Sequence, residues 1–496
     1  MADGAHPGTE VSVLVIGAGF GGLAAAFRLR EAGFRDVVVL EKADRPGGTW
    51  RENTYPGVAC DVQSHLYSLS FAPKADWSRR YAHGDEIQAY IERDVVARFG
   101  LGPHLRLGRE VVSASWDEQA ARWWVRTAGG ETWSARYVVS ATGPLHVPSM
   151  PDVPGLASFR GKVMHSARWD SHHDLTGARV ASIGTGASAI QYIPAIAPRV
   201  SRLHVFQRTP AWVLPRDDRA YSPAAQWAFA HVPGARAAHR AALYWRNEAR
   251  MLPLAHARLA RALQGVAAAN LRRQVRDPEV ARRLTPNETI GCRRALLSND
   301  YYPAFDLPHV ELVTEPIARF TENAVITSDG AVREVDAVVC GTGFVVDPRR
   351  YLERMPIQGR GGLTLGEAWR DGARAYLGIS IPRFPNLFQL VGPNTGLGHN
   401  SILFMIEAQL DHVVAVLAAS RARGVEVVEA RPEALDRFDR VVQDGLKGTV
   451  WASGCKSWYQ QPDGRNFSIW PFATWRYWLA ARSLVAEDYT WGATGA

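Results

Sequence analysis

Two stretches of this chain set a glycine loop between a short β-branched run and an Ala-rich helical run, and no other feature limits the fold so strongly. The first is VSVLVIGAGFGGLAAAFRLREAG, residues 11–33, and the second is ARVASIGTGASAIQYIPAIA, residues 178–197. Their leading glycines, Gly17 and Gly184, lie 167 residues apart. A strand, a glycine turn and a helix in that order bring backbone N–H groups and a helix N-terminus to one point, where a pyrophosphate binds. The expected fold class is therefore α/β, with two Rossmann-like dinucleotide-binding domains.

The first loop has Gly17, Gly19 and Gly22 in the G-x-G-x-x-G spacing. The first glycine permits the tight turn, the second a close approach to phosphate, and the third close packing of helix on strand. Glu41 ends the next apolar run, VVVLE, 24 residues after Gly17. A carboxylate there accepts ribose hydroxyls and repels a 2′-phosphate, which suits FAD or NAD. The continuation GGTWRENTYPGVACD, residues 47–61, carries a Gly-Gly pair where backbone passes close to a flavin. Gly48, Thr49 and Trp50 are candidate cofactor contacts, and Asp61 is a candidate charge beside the flavin ring.

The second loop reads Gly184, Gly186, Ala189, with Ser188 at the helix start. Its next strand, RLHVFQ, ends in Arg208 and Thr209, where the first site has its acid. Arginine reverses the ribose preference, because it pairs with a 2′-phosphate at roughly 1.5–3 kcal/mol. Site one thus favours FAD and site two NADPH, which implies electron flow from NADPH to FAD. The runs YVVSATG (137–143) and VDAVVCGTGF (335–344) are two further strands that end in small-residue turns.

Pro-rich joints at 144–154 and 382–385 divide the chain. The expected layout is an FAD-binding domain over 1–145, with its C-terminal part at 381–496. An NADPH-binding domain covers 151–212 and 291–380, interrupted by a helical insert at 213–290 that is rich in Ala, Arg and Leu. Nine aromatic residues crowd 451–478 and are expected mostly in the core.

The formal net charge is +8, yet the arginines are scattered and no nucleic-acid recognition module is present. The four cysteines, Cys60, Cys292, Cys340 and Cys455, form no Cys-x-x-Cys pair. Neither a metal site nor a redox dithiol is expected, and a disulfide framework is not expected in a chain of this size. No secretory signal is evident, and no uninterrupted apolar stretch suits a bilayer span. A cytoplasmic protein without stable membrane insertion is expected, as monomer or homodimer.

With these residues in view, a family resemblance emerges. FRGKVMHSARWD, residues 159–170, resembles the fingerprint F-x-G-x-x-x-H-x-x-x-W-[P/D] of type I Baeyer–Villiger monooxygenases. GGTWRENTYPGVACD resembles a second block of that family, and GCRRALLSNDYYPAF (291–305) a third. The resemblance covers nearly the whole chain. It implies that Arg294 is the arginine held over the flavin and Asp61 its acidic partner. It places Arg293, where the family usually has lysine, beside the cofactor 2′-phosphate. It makes His165 and Trp169 linker residues, and Trp458, in CKSWY, a loop residue near the nicotinamide. The block NLFQLVGPNTGLGHN (386–400), with Asn394, returns the chain to the flavin. The residues after Trp458, QQPDGRN, depart from the family pattern.

The implied reaction takes a small-molecule ketone and O2 to an ester or lactone through a flavin C4a-peroxide, with NADPH as reductant. A fixed cation keeps that peroxide anionic, and arginine suits a dry site because it stays charged. The alternative is a flavin monooxygenase that oxygenates nitrogen or sulfur. A disulfide reductase would need two adjacent cysteines, which are absent. A non-catalytic nucleotide sensor would bind FAD without oxidising NADPH.

Overall fold

The computed structural model describes residues 8–455, 457–461 and 463–492. The first layer is built on β1 (Thr9–Ile16), β2 (Val37–Leu40), β3 (Leu105–Arg106), β4 (Val111–Asp117), β5 (Arg122–Thr127) and β6 (Thr132–Ser140). The second uses β7 (Lys162–His165), β8 (Arg179–Ile183) and β9 (Arg202–Phe206). A short parallel pair follows, β10 (Val213–Leu214) with β11 (Leu296–Leu297), and then β12 (Val310–Val313). An antiparallel meander of β13 (Ile317–Phe320), β14 (Ala324–Thr327) and β15 (Val332–Glu334) leads to β16 (Ala337–Cys340). Two strands return to the first layer, β17 (Ile357–Gln358) and β18 (Leu387–Gln389).

The first sheet runs β17-β4-β5-β6-β1-β2-β3, with β18 also on β6. The second runs β12-β9-β8-β16-β7 and is parallel throughout. Strands covered on both faces should be apolar at every position, and β2 (VVVL) and β16 (AVVC) are buried at every residue. Each sheet carries one glycine loop at the C-terminal end of a central strand, β1 or β8, where ligands bind in open α/β sheets. β17 already belongs to the first sheet, so the return to that layer begins before the boundary expected at 381. An edge strand of two residues offers almost no periodicity to read.

One other expectation is corrected. Cys292 and Cys455 form a disulfide with Cα atoms 6.3 Å apart, across a sequence separation of 163. Cys60 and Cys340 are free and buried. The helix Ile402–Arg423 is long and apolar enough to cross a membrane by length and composition, but Glu407 and Asp411 interrupt its apolar run and 56% of its apolar window is buried inside the protein. It packs against the helices Phe20–Glu31 and Thr474–Arg482. Its polar groups are used internally: the His412 imidazole bonds the Ala481 carbonyl and the Tyr489 hydroxyl, both at 2.8 Å.

The insert expected at 213–290 contains the helices Pro223–His231, Ala235–Ala249, Met251–Ala255, Ala257–Gln274 and Pro278–Arg283. Ser222 caps the first through its hydroxyl and Asp277 the last through its carboxylate.

Candidate active site

The two glycine loops are built alike. In each, the first glycine has a positive φ, +99° at Gly17 and +100° at Gly184, a conformation that L side chains rarely adopt. In each, the neighbouring strand-end turn closes on it. A Cβ on Gly17 would stand 2.7 Å from the Ala141 carbonyl oxygen, and one on Gly184 2.5 Å from that of Gly341. A Cβ on Gly22 would collide with the Gly17 carbonyl oxygen, whereas one on Gly186 would meet nothing within 4 Å. The turn positions are thus sterically committed, while the backbone at Gly186 is bare toward a ligand.

The ribose ends differ. Glu41 is buried, and its carboxylate accepts from Ala18 N (2.8 Å), Ala43 N (3.0 Å) and Arg51 Nη1 (3.0 Å). Arg208 is exposed and has no carboxylate partner among the described residues. Beside it, the Thr185 hydroxyl donates to the Thr209 carbonyl at 3.3 Å.

The segment 47–61 joins the loops. Gly47 N donates to the Ala18 carbonyl (2.9 Å), and Gly48 passes so close to Gly19 that a Cβ would lie 3.0 Å from the Gly19 Cα. Thr49 and Trp50 open the short helix Thr49–Glu52, and the Trp50 indole donates to the Tyr67 hydroxyl at 3.2 Å. Further on, Tyr55 and Ala59 meet Gln191, on the helix Ala189–Ile196 that follows the second loop. Ser188 is the N-cap of that helix. Asp61 therefore ends a strap that touches both loops.

At Asp61 three segments converge. Arg294 Nε donates to Asp61 Oδ2 at 2.9 Å, and Arg294 Nη2 bonds the same oxygen. The two side chains are 33% and 34% exposed, so the pair keeps access to solvent. Burial opposes ionisation of Asp61, but Arg294, and secondarily Arg216, hold its carboxyl below the usual range. Asp61 in turn raises the already high pKa of Arg294. The parallel pair of β10 and β11, in the register Val213↔Leu296 and Leu214↔Leu297, sets Arg216 opposite Asn299 at one end, while Arg294 precedes β11 at the other. Arg216 Nη2 donates to the Cys60 carbonyl (2.9 Å), and its guanidinium lies 4.9 Å from the Tyr81 ring centroid. The Asn299 side chain bonds the Arg216 backbone on both sides, at 2.9 and 2.7 Å.

Not every sequence candidate lies beside this pair. Arg293 pairs with Glu288 at 2.9 Å. Asn394 adopts a φ of +57° and donates its amide to the Asn466 and Ile469 carbonyls, each at 3.1 Å, so it shapes the chain here. Trp169 packs on the Tyr192 ring at 5.9 Å, against the core of the second layer. His165 caps the turn 166–168 by accepting from Ala167 N, and burial lowers its pKa. Trp458 is 45% exposed, with its ring 4.2 Å from that of Tyr459.

Three features escaped the sequence. Arg216 and Tyr459 stand beside the Arg294–Asp61 pair. The Tyr459 hydroxyl is buried without a hydrogen-bond partner among the described residues, and burial pushes its pKa up to about 12, against the pull of Arg294. The third is Glu248, from the insert. Its buried carboxylate accepts from Thr474 N (3.0 Å) and Asn400 Nδ2 (2.5 Å), just before the helix Ile402–Arg423. Burial alone would raise its pKa; His399, Thr474 and Asn400 bring the net shift down. The one available signal was the proximity of Tyr459 to Trp458 in sequence.

Two dinucleotide folds of opposite ribose chemistry, joined by a strap that ends at a carboxylate–guanidinium pair, define a flavin-dependent oxidoreductase of the two-dinucleotide type. Comparison with known proteins agrees. Residues 15–82 match the NAD(P)-binding Rossmann-like domain family. The chain is 44% identical over 492 residues to a Baeyer–Villiger monooxygenase of Streptomyces coelicolor, covering 99% of this chain and 94% of that protein. It superposes on the NADP+-bound cyclohexanone monooxygenase of Rhodococcus sp. Phi1 with a TM-score of 0.87, at 31% identity and coverage of 98% and 100%. The OTEMO complex with FAD and NADP gives 0.87 at 27% identity, with coverage of 97% and 99%. The chain belongs to the Baeyer–Villiger monooxygenase family.

Proposed function

We propose that this protein converts a ketone to an ester or lactone in the cytoplasm, with NADPH as reductant and O2 as oxygen source. The observation that carries the reading is Arg294, set against Asp61 at the end of the strap between the two loops. The residues fit both cofactors. The turn at 184–186 leaves backbone bare at Gly186, that at 17–22 brings Gly19 against Gly48, and Glu41 and Arg208 supply opposite charges at the ribose ends. FAD, when bound, takes hydride from NADPH and activates O2 for transfer of one oxygen atom. Gly17, Gly19, Gly22, Gly48, Thr49 and Trp50 line the first site, with Glu41 at its ribose end. Gly184, Gly186, Ser188, Arg208 and Thr209 line the second, and Arg293 and Trp458 flank it.

Arg294 holds negative charge on the oxygen that attacks the carbonyl carbon. At about 4 Å and an effective dielectric near 20, the Coulomb attraction is about 4 kcal/mol, or roughly three pKa units. Asp61 orients the guanidinium and limits the cost of placing it in the cleft. Arg216, bonded to the Cys60 carbonyl, adds positive charge near Asp61 and favours its anion. Cytoplasmic placement follows from the supply of NADPH.

The test is a panel of ketones and thioethers with 18O2, read by mass spectrometry. One labelled oxygen in an ester or lactone is expected. Label confined to sulfoxide or N-oxide would reject ketone oxygenation.

A further inference from the structure

The helices between residues 223 and 274 contain eight arginines, no lysine and a single carboxylate, Glu248. That carboxylate is turned inward onto Thr474 and Asn400, so none remains at the surface of this stretch. Arg236, Arg250, Arg258, Arg261, Arg272 and Arg273 form no ion pair with any carboxylate among the described residues. An ordinary solvated helix alternates charges of both signs, and this one does not.

Large apolar side chains stand out among these cations. Trp227 is 60% exposed, Trp245 59%, Leu252 58%, Leu259 48% and Val266 55%. Trp245, Leu252 and the pair Leu259 and Val266 lie on three successive helices, Ala235–Ala249, Met251–Ala255 and Ala257–Gln274. On the helix Ala257–Gln274, Leu259 and Val266 lie two turns apart on one side, while Ala260, Ala267 and Leu271 are buried. Trp245 sits near the C-terminal helix, because the adjacent Tyr244 donates to or accepts from Thr474 Oγ1 at 3.0 Å. Close by on that helix, Trp475 and Leu479 are 40% and 45% exposed.

We propose that this face docks peripherally on the surface of an anionic phospholipid bilayer. Charge complementarity selects the partner. Arginine pairs phosphate bidentately, tryptophan prefers the headgroup boundary, and a cationic amphipathic helix lies flat at that interface. A second copy of this chain would bring like charge against like. The docking needs no membrane-spanning segment and does not depend on the oxygenation chemistry.

The test is flotation of the full-length FAD-loaded protein with vesicles of phosphatidylcholine, alone or with about 30% phosphatidylglycerol. Flotation is expected only with phosphatidylglycerol, and it should fall at least about tenfold near 0.5 M salt, where the Debye length is only a few Å. Arg258→Glu with Arg261→Glu should weaken binding by a similar factor, and Trp245→Ala by a smaller one. These side chains are exposed, so folding and bound flavin, read by absorbance, should be unchanged. Equal flotation with both vesicles, no flotation, or flotation indifferent to the charge reversal overturns the proposal. Retention on a soluble polyanion without vesicle binding overturns it too.

Discussion

The two glycine loops share a backbone plan but differ in how their ribose ends are finished. Glu41 is buried and locked by three donors, whereas Arg208 is exposed and unpaired among the described residues. The first loop lies under the strap 47–61, while a Cβ at Gly186 in the second would meet open space. One plan thus serves two exchange regimes. An enclosed ribose acid suits a cofactor that stays, and an exposed arginine suits one that arrives and leaves each turnover.

The sharpest way to break this contrast is Gly22→Val. Its side chain collides with the Gly17 carbonyl oxygen, so the purified protein should lack flavin absorbance entirely. Bound flavin at the normal ratio would show that the first loop is not the enclosed site. Next is Arg294→Ala, at the meeting point of both halves. Oxygenated product should fall by about three decades if the roughly 4 kcal/mol attraction is lost. Flavin reduction by NADPH should persist in stopped flow, and unimpaired product formation would remove the residue from its role.

A third effect belongs to the enclosed half. Burial lowers the pKa of His412 to about 4. Between its ordinary value near 6.5 and that figure, the unfolded chain binds the proton and the native state does not. Stability should therefore fall as pH drops through this window, by about 3 kcal/mol for this group. His412→Gln should flatten that part of the curve in urea unfolding at stepped pH, whatever its stability at neutral pH; an unchanged slope would contradict the assignment. The smallest effect is at the open site. Arg208→Ala should raise the KM for NADPH by about one to two decades and leave that for NADH nearly unchanged. Parallel changes for both nucleotides would argue against a phosphate contact.

Both glycine loops and both ribose ends were legible in the sequence because each is local: a strand, a turn, a helix and the next strand end within some 25 residues of Gly17 or Gly184. Asp61 was a candidate from its own stretch, but Arg294 and the pairing of the two were found only through resemblance to a family, since 233 residues separate them. Arg216 was missed because its place depends on the pairing of β10 with β11, strands of two residues with no visible period. Nothing local in the sequence sets Glu248 apart, because its burial against Thr474 and Asn400 is made by the fold. Asn394 adds a contact its motif does not announce: from a left-handed backbone its amide donates to the Asn466 and Ile469 carbonyls. Local geometry is written locally, whereas convergence of distant segments is a product of packing.

The bond between Cys292 and Cys455 has a mechanical meaning. Cys292 lies two residues before Arg294, and Cys455 three before Trp458. A covalent bond thereby ties the stretch that carries Arg294 to the stretch that leads to Trp458, two regions that the backbone alone leaves 163 residues apart.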